Sequence, residues 1–186
     1  MTIERDSKTT LLIIGSILII GVVTIFILQQ QRPDSIAEER SAEAEAHFSY
    51  TYLTLNEQPF RFTEQTAEWF VVTSWASWCP DCAVQLQTLH ALAALLSSSD
   101  TQFVAVNRGE NPGTIQQYLK IVTPELLQSD LVVLKDPADY WYRNYEGRTM
   151  PETIIMNSAG VVREHIRRPI GEEELKALLA ALANEG

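Results

Sequence analysis

Cys79 and Cys82 are the only cysteines in the chain, and they stand in the run Cys79-Pro80-Asp81-Cys82. An apolar stretch, Trp69-Phe70-Val71-Val72, and then Thr73-Ser74-Trp75-Ala76-Ser77-Trp78 lead into them, and a long helical pattern follows. A strand that delivers two cysteines to the mouth of a helix is a redox arrangement. The first amides of a helix lack partners and carry partial positive charge. A thiolate placed there is stabilised, so Cys79 becomes a nucleophile near neutral pH. Two intervening residues let Cys82 curl back within disulfide reach. Asp81 works against the neighbouring thiolate charge, and so against a very strong oxidant.

Other uses of two cysteines fit less well. A four-cysteine zinc site is excluded by number, and His47, His90 and His165 lack the local spacing of a two-cysteine, two-histidine site. Haem attachment needs a histidine directly after the second cysteine, where Ala83 stands. A purely structural disulfide is the remaining rival. The chain-entropy account gives so short a loop only about 2 kcal/mol.

The residues that position this pair must come from one ordinary domain and an additional segment, given 186 residues. Hydrophobic residues make up 46%, enough for a core, and the net charge of −10 argues against a nucleic-acid partner. The additional segment is Leu11 to Leu28, 18 residues without a charge, long enough to span a bilayer. Arg5 and Lys8 precede it and Arg32 and Arg40 follow it, so charge balance does not orient it. A cleaved signal peptide has an apolar region of about 7–15 residues, and this run is longer, which favours a retained anchor. Residues 29–47 are polar, rich in Glu and Ala, and read as a spacer.

From Phe48 the pattern is that of a folded domain. Phe48 to Leu55 alternates, Asn56-Glu57-Gln58-Pro59 breaks it, and Phe60-Arg61-Phe62 resumes, which predicts a β-hairpin. Trp69 to Trp75 predicts a buried strand. Pro80 to Ser97 carries a helical apolar stripe, with Pro80 in its first turn. Strands are expected over Gln102–Asn107, Leu131–Leu134, Thr153–Met156 and Val161–Arg167. Helices are expected over Thr114–Val122, from Asp136-Pro137 onward, and over Glu172–Ala183. Alternating βα units give a parallel core, and the last hairpin adds antiparallel strands.

This order, with Trp78-Cys79-Pro80-Asp81-Cys82 at the first βα junction and a proline before the final hairpin, resembles thioredoxin. Trp75 to Cys82, and Met150-Pro151-Glu152-Thr153-Ile154-Ile155 followed by Gly160, resemble more closely the membrane-tethered extracytoplasmic TlpA, ResA and CcmG proteins. The resemblance covers Phe48 to Ala183. It implies an α/β thioredoxin-like fold, a central mixed sheet flanked by helices, with an N-terminal β-hairpin and after one transmembrane helix. Residues 1–10 would be a short cytoplasmic tail, 11–28 a signal anchor, 29–47 the linker and 48–186 the domain. That domain would lie outside the cytoplasm, where disulfides persist. The activity implied is thiol–disulfide exchange with protein substrates, more a reductase than an oxidant. It needs no cofactor beyond the redox-active Cys79–Cys82 disulfide, and a membrane electron-transfer partner fits the tether. Cys79 would attack and Cys82 resolve. Pro151 would be a cis-proline facing the disulfide, and Met150 would lend backbone groups to a bound strand. Trp78, Pro80 and Asp81 would complete the motif.

Three positions depart from the family pattern. Thr73 stands where thioredoxin has a buried aspartate, Gln85 where the tethered reductases have a glutamate, and Gln87 where they have a proline. Both usual proton acceptors for the resolving cysteine are therefore missing. Glu152 is read in two ways, as a proton relay near the sulfurs or as an exposed strand residue. Trp75 is expected in the core and Trp78 at the surface. His90 is expected to be structural, since it lies two helical turns beyond Cys82. Arg163, His165 and Arg167 alternate as the wet face of an edge strand would. Tyr140, Trp141, Tyr142 and Tyr145 are expected to pack. Two other functions are weighed against exchange. A peroxiredoxin would need a threonine where Ala76 stands. A copper or other metal-binding chaperone on the same fold would need a wider cysteine spacing and a distal histidine.

Overall fold

The computed structural model describes residues 7–30, 48–96 and 100–184. The chain divides into two compact units, Met1–Glu43 and Ala44–Gly186. In the first unit, helix α1 (Ser7–Gln30) runs for 24 residues and contains the whole uncharged stretch. Side chains are described there at Ile13 and over 16–27, and the apolar ones, from Ile17 to Ile27, are exposed. Among the described residues no helix is long and apolar enough to cross a membrane. The expected tail lies partly, and the expected spacer mostly, outside the described residues: Ser7 already begins α1, and Gln30 closes it.

The second unit is built on a seven-stranded mixed sheet. Its strands are β1 (Tyr52–Thr54), β2 (Pro59–Phe60), β3 (Trp69–Trp75), β4 (Thr101–Arg108), β5 (Val132–Asp136), β6 (Glu152–Asn157) and β7 (Val162–Ile166). They lie in the order β2-β1-β5-β4-β3-β6-β7. β3 pairs in parallel with β4, and β4 with β5; β6 and β7 are antiparallel, as are β1 and β2. The helices are α2 (Cys82–Leu95), α3 (Pro112–Val122), α4 (Tyr140–Asn144) and α5 (Glu172–Ala183).

β3 is an interior strand, and its residues from Phe70 to Trp75 are all buried, Thr73 and Ser74 among them, as a strand covered on both faces requires. Alternation sends Val71 and Trp75 to one face and Phe70 and Val72 to the other. The first face packs with Leu86, Leu89 and Leu92 of α2, Ile115 and Leu119 of α3, and Leu175, Leu179 and Leu182 of α5. The second packs with Phe48, Tyr52, Phe60 and Phe62 from the N-terminal segment and Trp141 of α4. Phe62 meets Phe70 edge-on at 5.2 Å, and burying a side chain of this size contributes about 1.5–3 kcal/mol.

Several ends differ from the sequence reading, each for a local reason. α2 begins at Cys82, so Pro80 lies before the helix and not in its first turn, and Asp81 is the cap residue. α3 begins at Pro112, because Asn111 Oδ1 accepts the Thr114 amide at 3.0 Å and proline fits the first turn. β5 runs past the expected end at Leu134 through Lys135 and Asp136, because both are buried with partners: Lys135 with Glu57, Asp136 with the Trp141 amide. That long strand leaves Asp139 to turn the chain in a left-handed conformation, and α4 starts only at Tyr140. The hairpin is present but short, and Tyr50 lies outside it, exposed, stacked on Tyr140 at 4.1 Å.

Candidate functional site

Cys79 and Cys82 form a disulfide, with their Cα atoms 5.4 Å apart. The chain reaches them from the end of β3 through two tight turns, in which the Cys79 amide donates to Ala76 O and the Cys82 amide to Cys79 O. Cys79 is only 3% exposed, against 0% for Cys82. The bond draws both sulfurs onto the apolar cluster that contains Trp75 and Leu86. Exposure falls instead on the flanking residues Pro80 and Asp81, and on Trp78 at 62%. Trp75 is fully buried, as expected.

The loop before Cys79 is held by a residue that sequence reasoning did not single out. Glu110 Oε2 accepts the Ser77 amide at 2.8 Å and Asn107 Nδ2 at 2.7 Å, and Glu110 Oε1 accepts the Ser77 hydroxyl. The parallel register explains the meeting: Trp75 lies opposite Asn107, so the chain leaving β3 runs beside the chain leaving β4. A signal was available, since ligand-handling groups gather beyond the carboxyl ends of parallel strands.

The Met150–Pro151 peptide bond is cis. The β3–β6 register places Ser74 opposite Glu152, so Pro151 lies at the same end of the sheet as Trp75. Met150 packs against the cluster that holds both cysteines.

Glu152 is 3% exposed, so it is not the exposed strand residue that was one of its two readings. Its Oε1 accepts the amides of Arg148 at 2.8 Å and Thr149 at 3.1 Å, with Arg167 Nε at 3.4 Å. His165 Nε2 lies 3.3 Å from Oε2. Strand alternation assigns Glu152 and Ile154 to the sheet face opposite Thr153 and Ile155, and it is the latter face that α2 covers. The carboxylate is thus committed to the loop before cis-Pro151. A further brace comes from Tyr142, whose hydroxyl donates to Thr149 O at 3.1 Å. The Arg108 guanidinium sits 3.3 Å over the Tyr142 ring, and its bidentate bond to Asp139 raises its pKa further. Because of Glu152, His165 and Arg167 are not simply the wet face of an edge strand; His165 is half-buried.

The two missing acids are replaced by neutral groups with structural work. Thr73 and Thr153 hydroxyls bond each other at 2.8 Å across β3 and β6. Gln85 is 1% exposed, its Oε1 accepts the Ile170 amide at 2.8 Å, and its Nε2 has no hydrogen-bond partner among the described residues. That bond ties α2 to the segment entering α5. Among the tyrosines, Tyr145 is pushed up to about 12 by burial, in keeping with a packing role.

No curated protein matches the sequence. Solved structures do share its fold. A secreted disulfide oxidoreductase of Mycobacterium tuberculosis, described as homologous to E. coli DsbE, is 20% identical with a TM-score of 0.61, over 74% of this chain and 98% of that one. A thiol:disulfide interchange protein of the thioredoxin family from Chlorobium tepidum gives 18% and 0.60, over 72% and 92%. StoA from Bacillus subtilis gives 18% and 0.59, over 70% and 95%. The fold is accordingly thioredoxin-like. Residues 40–182, which include the cysteine pair, Glu110 and the cis-proline loop, match the Redoxin family, and the chain belongs to that family.

Proposed function

We propose that this protein is a thiol–disulfide oxidoreductase that exchanges electrons with protein disulfides, acting as a reductase. The observation that carries the reading is the Cys79–Cys82 disulfide at the mouth of α2, beside the loop of cis-Pro151. In the dithiol form, the Cys79 thiolate attacks one sulfur of a substrate disulfide and displaces the other as a thiolate. The Cys82 thiolate then attacks Cys79 Sγ in the mixed disulfide. The second substrate thiolate leaves, the substrate has gained two electrons, and the Cys79–Cys82 bond is restored. Glu110 fixes the loop that leads to Cys79, and Glu152 fixes the loop that would meet a bound strand. No acid stands at Thr73 or Gln85, so the Cys82 proton passes to water or to the substrate thiolate.

The same reading takes residues 11–28 as a single-pass anchor with the domain on the extracytoplasmic side. Its support is the uncharged run from Leu11 to Leu28, contained within the one helix α1. Partners are then protein thiols and disulfides outside the cytoplasm and a membrane donor of electrons.

The test is reduction of a protein disulfide by the pre-reduced full chain, followed as loss of its two thiols. Stoichiometric transfer supports the reading. Failure to transfer, together with stoichiometric copper binding by the reduced chain, would replace it with metal carriage.

A further inference from the structure

We infer that the cis-proline side of the site is a cationic rim that selects substrate segments bearing carboxylates. The inference rests on the thiol–disulfide reading and names the substrate class for it. The chain as a whole carries −10, yet residues 143–168 hold five arginines against three glutamates. Two of these arginines, Arg148 and Arg167, border Glu152, the residue after cis-Pro151, the first through its backbone amide and the second through its guanidinium. The Arg148 amide and Arg167 Nε meet at one oxygen, Glu152 Oε1, at 2.8 and 3.4 Å.

Glu152 does not cancel them toward solvent. It is 3% exposed, whereas the Arg148 side chain is 72% and that of Arg167 39% exposed. Its charge is shared inward among the Arg148 and Thr149 amides, Arg167 Nε and His165, so two basic side chains meet at this one buried carboxylate. The nearest acid to the Arg148 guanidinium is Glu146 at 3.9 Å, itself 80% exposed and sequence-local. Arg148 is two residues from Met150, which packs with the cysteine cluster, so the cationic groups border the place where a substrate strand would pass. On the other side of the pair the charges are acidic: Asp81 is exposed, and Glu110 holds the Ser77 loop. A substrate segment with carboxylates toward the cis-proline loop meets attraction there, while a basic segment meets like charge.

The experiment uses the pre-reduced full chain and two synthetic peptides, each with its single cysteine in a disulfide with 2-nitro-5-thiobenzoate. The peptides differ only in glutamates or lysines flanking the cysteine. Attack by Cys79 releases the coloured thiolate as the mixed disulfide forms. The rate ratio, acidic over basic, is expected to be about tenfold at low salt and to fall as salt screens exposed charge. In Arg148→Gln, and further in Arg148→Gln with Arg167→Gln, the ratio is expected to fall toward one. Arg61→Gln, in the remote hairpin segment, should keep the wild-type ratio. Because a ratio is read, a general loss of rate in the double variant does not mimic the effect, and Arg148→Gln alone decides if that variant fails to fold. A wild-type ratio near or below one, or a ratio that survives both substitutions, overturns the rim. Absence of attack on either peptide by the wild type instead overturns the thiol–disulfide reading on which it rests.

Discussion

Ser77 is held by Glu110 at two points, through its amide at 2.8 Å and through its hydroxyl, and Ser77 lies two residues before Cys79. One carboxylate thus joins the loop after β4 to the loop that carries Cys79. Hydrogen bonds to a charged group are worth about 1.5–3 kcal/mol, and solvent at this half-buried site places the value at the lower end. Glu110→Ala is expected to lower stability by about 1–2 kcal/mol in urea unfolding. It should also slow attack by Cys79 several-fold. Wild-type attack rates in a folded variant would show that the loop holds itself.

Glu152 is expected to act on substrate binding, not on proton transfer. Its carboxylate holds the Arg148 and Thr149 amides from the sheet face opposite α2. Glu152→Ala should raise KM for a peptide disulfide by about tenfold or more, the loss of charge-assisted bonds being worth about 1.5–3 kcal/mol. The pH–rate profile of product release should keep its shape. A loss of about 10²-fold or more in the release step alone, with binding intact, would mark Glu152 as an acid–base group after all.

Gln85 provides the complementary test. Its Oε1 bond to the Ile170 amide can be kept by a carboxylate, so Gln85→Glu restores an acid one helical turn from Cys82. Rapid-quench measurement should show faster displacement of product by Cys82, about tenfold at neutral pH. The same variant should be less stable at pH 7 than at pH 4, since burial opposes ionisation. An unchanged displacement rate would mean that proton removal from Cys82 does not limit the cycle.

Asp136 gives a pH dependence of known sign. Burial raises its pKa above 3.8, against the bonds it accepts from the Tyr140 and Trp141 amides. A carboxyl whose folded pKa is raised favours the folded state fully below the unfolded pKa. That contribution is lost as pH rises through the folded pKa. Asp136→Asn keeps an acceptor for the Trp141 amide and removes the ionisation. The variant should therefore gain stability relative to wild type between about pH 4 and pH 7, by chemical denaturation at both pH values. A relative loss over that interval would contradict the direction.

The parts that sequence made legible are those where one residue type dominates its surroundings. β3 was legible because a strand covered on both faces favours apolar residues throughout, and α5 because four leucines repeat at helical spacing behind three glutamates. The cysteine pair was legible because sulfur chemistry needs those atoms at that spacing. Lys135 and Asp136 misled because their partners, Glu57 and the Trp141 amide, lie far along the chain or in the backbone. Glu110 was invisible for the same reason: its work is to bind Ser77, 33 residues earlier. Glu152 was half-visible. Its place after Pro151 marked it, but the alternation that turns it away from α2 depends on the β3–β6 register.

The central claim is that Cys79 attacks and Cys82 resolves, although the two differ by only a few per cent in exposure. Cys79 has the larger access and stands at the turn before α2, whereas Cys82 is the first helical residue and fully covered. The direct measurement is a non-reducing gel of membrane fractions from cells making full-length Cys79→Ser or Cys82→Ser. Cys82→Ser should accumulate mixed disulfides that vanish with added thiol, and Cys79→Ser should accumulate far fewer. Equal trapping by the two variants, or trapping mainly by Cys79→Ser, would contradict the assignment.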